Sequence, residues 1–251
     1  MKAFWAFTKK EFLEYWRTYK ILILALVFLL FGMMNPVVAK FTPEIIKAAG
    51  VDINLPDPTA MDSWAQFFKN VGQMGMLVVI IVFSGIMANE LSKGTLITML
   101  TKGLTRRTVI LSKFLVASVL WTLAYLLCLG VTAVYTAVFW PMDGLHQVFW
   151  VFFALWLYIE LLIALLVLGG VLFKNSIGSL LLAGGAVLIM TLISIFPDVH
   201  PFNPMSLATD NLALLSGLSP VADLYPAFVV CGALTVTIIA LSVVVFDHRA
   251  I

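Results

Sequence analysis

Residues 21–38 read ILILALVFLLFGMMNPVV, eighteen positions without a charged side chain. At about 1.5 Å of rise per residue, a helix of this length crosses most of the roughly 30 Å hydrocarbon layer of a bilayer. Five further runs repeat the pattern, at 70–88, 109–139, 148–173, 177–196 and 225–246. Six membrane-spanning helices are therefore expected. Between them lie a proline- and aspartate-rich loop from Lys40 to Ser63 and a polar loop at 89–107. A turn follows at Trp140–Gln147, then the triplet Lys174-Asn175-Ser176, then a proline-punctuated segment at 197–224.

Composition requires the same solution. The chain has 251 residues, 62% hydrophobic and 11% charged, with a mean hydropathy of +1.07. Soluble domains average about 45–50% apolar and about 25% charged residues. A single core cannot hide this excess, so lipid must cover it. The expected fold class is an all-α membrane protein, with residues 1–251 as one transmembrane domain and no room for a soluble enzyme domain. The net charge of +2 suggests no nucleic-acid partner. Cys128 and Cys231 both fall inside apolar runs and read as small buried hydrophobes. The charged, aromatic start is not a signal peptide, so 21–38 reads as a retained span.

Charge placement orients the chain. Lys2, Lys9, Lys10, Arg17, Lys20, Lys93, Lys102, Arg106, Arg107, Lys113, Lys174 and Arg249 fall on one side, 12 of 15 basic residues. Lys40, Lys47 and Lys69 fall on the other, beside Glu44, Asp52, Asp57, Asp62, Asp143, Asp198, Asp210 and Asp223. The positive-inside rule puts both termini in the cytoplasm. Trp64, Trp140 and Trp150 sit near expected boundaries, as interfacial aromatics do. Gly169-Gly170 and the stretch from Gly178 to Ala186 offer small surfaces for close helix packing.

Four segments invite a role. In residues 1–20, Phe4, Trp5, Phe7, Phe12, Tyr15, Trp16 and Tyr19 share one helical side and the basic residues the other, with Glu11 and Leu13 as exceptions. Such a helix suits the inner headgroup layer, as a plain anchor or as a lever beside the first span. In the 89–107 loop, Gly94 and Gly103 bracket a short helix, Thr95–Lys102, with Leu96, Met99 and Leu100 on one face. That face fits a groove on another protein, unless the loop only fixes topology. Glu160, near the middle of the fourth run, costs at least roughly 2.5 kcal/mol in a bilayer and should face protein or water. It either lines a cavity or a seam, meeting cationic groups, or is a protonated acid bonded to a neighbouring helix. The 197–224 segment, acidic with an apolar middle, is a cap or re-entrant pair at the outer end, or a plain structured loop.

The pattern formed by Glu90, Gly94, Thr95, Leu96, Leu100, Thr105 and Arg106, with Met99 and Arg107 beside it, resembles the signature of ATP-binding-cassette type-2 transporter permeases. Gly103-Leu104 departs from the proline usual before the Thr-Arg pair. The resemblance extends to the amphipathic start, six spans and long fifth-to-sixth segment. It implies a non-catalytic membrane subunit working as a pair, with an identical or paralogous copy. Each permease would sit on an ATPase subunit through a coupling helix at Thr95–Lys102, in the plasma membrane of a bacterial cell. ATP and magnesium would be held by that partner, since no Walker-type phosphate loop occurs here. Scattered His146, His200 and His248 give no metal or hydrolytic pattern. The expected cargo is hydrophobic or amphipathic, a peptide before a drug, antibiotic or lipid. The rival is a secondary transporter or channel with Glu160 as its ion-sensitive group.

Overall fold

The structure, a computed structural model, describes residues 2–48, 50, 56–92, 94–101 and 103–248. Lys93, Lys102, Arg249 and Asp52, all used above for orientation, lie outside the described residues. The elements in chain order begin with α1 (Lys2–Arg17), α2 (Lys20–Ala48) and α3 (Ala60–Lys69). A π-helical turn, Asn70–Gly75, joins α3 to α4 (Met76–Phe83). Two short helices follow, α5 (Ala88–Ser92) and α6 (Thr95–Thr101). Then come α7 (Arg106–Phe139), α8 (Val148–Phe173) and α9 (Ser176–Ile193). The segment between α9 and the last span carries α10 (Ser206–Thr209) and α11 (Asn211–Leu215) between two 3₁₀ turns, and α12 (Tyr225–Asp247) completes the bundle. Among the described residues, six helices are long and apolar enough to cross a bilayer, and no strand occurs.

Two spans differ in extent from the sequence reading. The first helix continues beyond residue 38 to Ala48, although 40–63 reads as loop. Pro36 and Pro43 sit inside it, and the tertiary structure repairs the first of these breaks. Pro36 has no N–H for the carbonyl of Gly32 one turn earlier. The Thr132 hydroxyl of α7 donates to that carbonyl instead, at 3.2 Å. Gly32 also permits the contact, because a Cβ there would lie 2.9 Å from Val131 Cβ.

The second span begins at Ala60 rather than 70 and ends at Phe83. Polar Asp62, Gln66 and Lys69 disguise its first turns, yet Trp64 and Phe67 on the other face are fully packed. Trp64 packs into the core, its ring 5.0 Å from that of Phe152. The π-turn inserts an extra residue, and the Asn70 amide donates to Asn35 Oδ1 at 2.7 Å. Asn35 donates onward to Thr132 at 3.1 Å, and Ser63 bonds Thr136 at 2.7 Å. These uncharged groups, all but Asn70 buried, tie α2, α7 and the helix of α3 and the π-turn together.

The central element is α8, with α4, α7, α9, α10, α11 and α12 packed around it. Its most apolar window is 72% buried, against 11% for α9. Gly169 and Gly170 permit close approach, since a Cβ on either would meet Ser179 Cα or Met87 Cβ at 2.7 Å. Gly184 and Gly185 differ: a Cβ there meets nothing within 4 Å, so that stripe of α9 faces out of the chain. The segment between α9 and α12 folds over one end of α8, burying Leu207, Leu214 and Leu215. His200 Nε2 and Asp210 Oδ2 lie 2.7 Å apart within it.

Candidate coupling site

The helix α1 lies across the start of α7 and turns into α2 at Tyr19, whose φ is +58°. Its buried stripe is Phe7, Glu11 and Tyr15, spaced at one helical turn each. Of the aromatics expected to share one helical side, Phe7 and Tyr15 are packed, Phe4 is half-buried, and Trp5, Phe12, Trp16 and Tyr19 are exposed. Glu11, the exception in the sequence pattern, is the centre of the packed face.

It is there because Lys113 is there. Lys113 Nζ, 2% exposed at the second turn of α7, contacts Glu11 Oε2 at 2.7 Å and Glu90 Oε2 at 2.9 Å. Lys10 closes the ring, contacting Glu11 at 3.0 Å, Glu14 at 2.8 Å and Glu90. Glu90 belongs to α5, the short helix that leads into α6. Three carboxylates and two ammonium groups thus join the N-terminal helix, the loop between spans two and three, and the start of span three. A small cavity beside them is lined by Tyr15, Thr18, Lys20 and Gly85.

The two most buried carboxylates are unequal. Burial pushes Glu11 above its ordinary value; Lys113 opposes this without cancelling it, and the charge of Glu90 adds to the rise. Burial also acts against Glu90, but Lys113 and Lys10 outweigh it and hold that carboxyl below its ordinary value. Burial works against the charge of Lys10 too, yet Glu14 and Glu90 raise its pKa overall. Under acidification Glu11 therefore takes a proton before Glu90 does.

The short helix α6 is bracketed by glycines with positive φ, +67° at Gly94 and +91° at Gly103. A Cβ on Gly103 would meet nothing, so conformation and not space requires a glycine there. This turn stands where the proline usual in the resembling signature is missing. Leu96 is fully buried, and Met99 and Leu100 pack half-buried against the same core. The apolar face expected to point at a partner is thus turned inward. The side chains of Thr95, Ile97 and Thr98 lie outside the described residues. Thr101, Thr105 and Arg107 are exposed.

Thr105 caps α7, accepting from the Thr108 N–H at 3.3 Å. Arg106 turns to the last span: its guanidinium donates to the carbonyls of Phe246 and, at 2.7 Å, Asp247, and lies over the Phe246 ring. A cation there satisfies the open carbonyls at the end of α12. Glu160 is 3% exposed on α8, accepting from Ser118 Oγ at 2.7 Å. This joins α7 to α8 inside one bundle and does not place the carboxylate at an outer seam.

Sequence reasoning singled out Glu90 but not its partners Glu11, Lys10 and Lys113 as a set. The one available signal was a charge on the wrong face of an amphipathic helix, matched by a lysine inside the third span.

A family model described as "ABC-2 family transporter protein" matches residues 5–250. An uncharacterized transmembrane protein, YxlG, of Bacillus subtilis (strain 168) is 29% identical over 133 residues, 50% of this chain and 50% of that protein. The match thus spans about half the length of that curated relative.

Proposed function

The chain belongs to the ABC-2 transporter protein family, and from that premise we propose that it is the permease subunit of an ATP-driven exporter. The family implies a membrane permease served by an ABC ATPase subunit. In this reading the basic end, with both termini, is cytoplasmic, and ATP and magnesium are bound by the ATPase. The observation that carries it is the ring of Glu11, Glu90, Lys10 and Lys113 behind the α5–α6 loop. A push on α6 cannot be absorbed locally, because Leu96 is locked in the core and Glu90 is tied to α1 and α7. The movement passes to the first and third spans together. The ATPase would touch the outward residues Thr101, Thr105 and Arg107, while Arg106 keeps the last span in register.

A second copy of the chain, or a paralogue, would seat against the sparsely covered α9, where Gly184 and Gly185 leave backbone open. Cargo that is hydrophobic or amphipathic, a peptide first, suits the apolar grooves that flank α7. One of them, of about 780 Å³ between α7 and α8, is lined by Tyr125, Leu126, Phe149, Phe152, Phe153 and Trp156. The rival, a proton- or ion-driven transporter using Glu160, is disfavoured by the closed Ser118–Glu160 contact.

The test is co-purification with an ATPase and transport in lipid discs. Glu90→Gln should leave the complex assembled and ATP hydrolysis present while export falls at least tenfold. Export that survives loss of the ATPase and collapses with the proton gradient would establish the rival instead. ATPase stimulation that is flat across amphipathic peptides would remove peptide as the cargo.

A further inference from the structure

Lys9 and Lys10 are neighbours in α1 with opposite surroundings. Lys10 faces inward to three carboxylates. Lys9 is exposed and makes no ion pair or hydrogen bond among the described residues. Its neighbours one turn away are Trp5, Phe12 and Leu13, all exposed and none acidic, and Trp16 extends the same stripe. A lone cation among exposed aromatic rings must find its counter-charge outside the chain. Arg17, also exposed and unpaired among the described residues, stands two turns further along.

Phe12 belongs to a second feature as well. Together with Ile21, Leu24, Ala25, Leu120 and Leu123 it lines an apolar groove of about 260 Å³ between α2 and α7. The α7 side of that groove, from Leu120 to Leu127, runs about 10 Å along the helix. A cation one helical turn from Phe12 and the greasy channel that Phe12 lines fit one kind of molecule.

We infer that Lys9 and the Phe12–Leu127 groove form a selective site for an anionic phospholipid, with its phosphate on Lys9 and an acyl chain between α2 and α7. Trp5 and Trp16 would sit at headgroup depth on either side of the phosphate, as interfacial aromatics do. The lipid would brace α1 against α2 and α7, the second of which the charged ring also joins. The inference rests on the reading that α1 lies in the headgroup layer of the leaflet at the basic end. It does not depend on export, since occupancy is read without nucleotide or cargo.

The test is native mass spectrometry of the full-length chain released from micelles with equal mole fractions of dioleoyl phosphatidylglycerol and dioleoyl phosphatidylcholine. The wild type should retain phosphatidylglycerol about fivefold over phosphatidylcholine, the selectivity that one basic residue near a headgroup supplies. Lys9→Glu should bring the two lipids to parity, and Lys9→Arg should keep the preference. Leu123→Trp, at a lipid-facing position that spares the fold, should lower retention of both. Equal retention by the wild type, or a preference that survives Lys9→Glu, overturns the site. Unchanged retention in Leu123→Trp overturns the acyl groove. Competition by inorganic phosphate would show that a free anion, and not a lipid, is the ligand.

Discussion

Two polar regions hold this bundle together, and they use different chemistry at different depths. At the basic end, five charged groups (Lys10, Glu11, Glu14, Glu90 and Lys113) meet where α1, α5 and α7 converge. Toward the opposite end of α7, Asn35, Asn70, Thr132, Ser63 and Thr136 make uncharged bonds between α2, α7 and the helix of α3 and the π-turn. Bonds between neutral side chains in a membrane contribute modestly, about 0.6 kcal/mol on average, and leave no charge stranded if one breaks. Buried ion pairs are different: removing one partner costs roughly 3–5 kcal/mol, because the remaining charge is left uncompensated. The uncharged network is therefore a passive seam. The charged ring is a joint whose members contribute unequally, placed where a partner's movement arrives in the proposed coupling.

The largest test of that contrast is Lys113→Met. It leaves Glu11 and Glu90 with Lys10 as their one remaining cation, and a loss of up to about 3–5 kcal/mol should appear as failed accumulation or a lowered thermal melt. A variant that melts like the wild type would show that the ring is wetter than its burial indicates. Next is Gly32→Ala, where the new Cβ would press on Val131 and the Cys128 carbonyl. Overpacking there should cost about 1–3 kcal/mol and separate α2 from α7, measured by disulfide cross-linking yield between engineered cysteines on the two helices.

Asn35→Val should cost less, about 0.6 kcal/mol, seen as a small shift in detergent unfolding midpoint. The smallest neutral-pH effect belongs to Glu11→Gln, and its pH dependence separates the two carboxylates. Because the pKa of Glu11 is raised on folding, its ionised form is a penalty that is lifted as pH falls from the raised value toward the ordinary one. Glu90, held low, contributes stability above the ordinary carboxylate value and loses it as pH falls through its depressed one. Melts from pH 8 down to 4 should therefore show Glu11→Gln no less stable than wild type at neutral pH, with the gap closing as pH falls. Glu90→Gln should be destabilised at neutral pH and converge on wild type only in acid. The reverse ranking would invert the assignment of the shared proton.

The number and class of the membrane helices were legible because bilayer thickness imposes a length and lipid imposes an apolar composition, and both are written locally. The glycines around α6 were legible for a similar reason, since a positive φ favours one residue type. The ends of the first two spans were not. Pro36 and Pro43 look like breaks until Thr132, nearly a hundred positions away, fills the carbonyl that Pro36 leaves open. Polar residues on one face of α3 hid a helix whose other face is packed.

By itself, then, the order of residues settled that this is an all-α membrane protein with six spans and a charge-asymmetric pair of ends. Only the tertiary structure decided that Glu11 faces inward, that Leu96 points into its own core, and that Arg106 holds the end of the last span. The physical reason is range. Hydrophobic length and backbone preference act within a few turns of chain, whereas a charge in an apolar place is explained only by the distant partner that neutralises it.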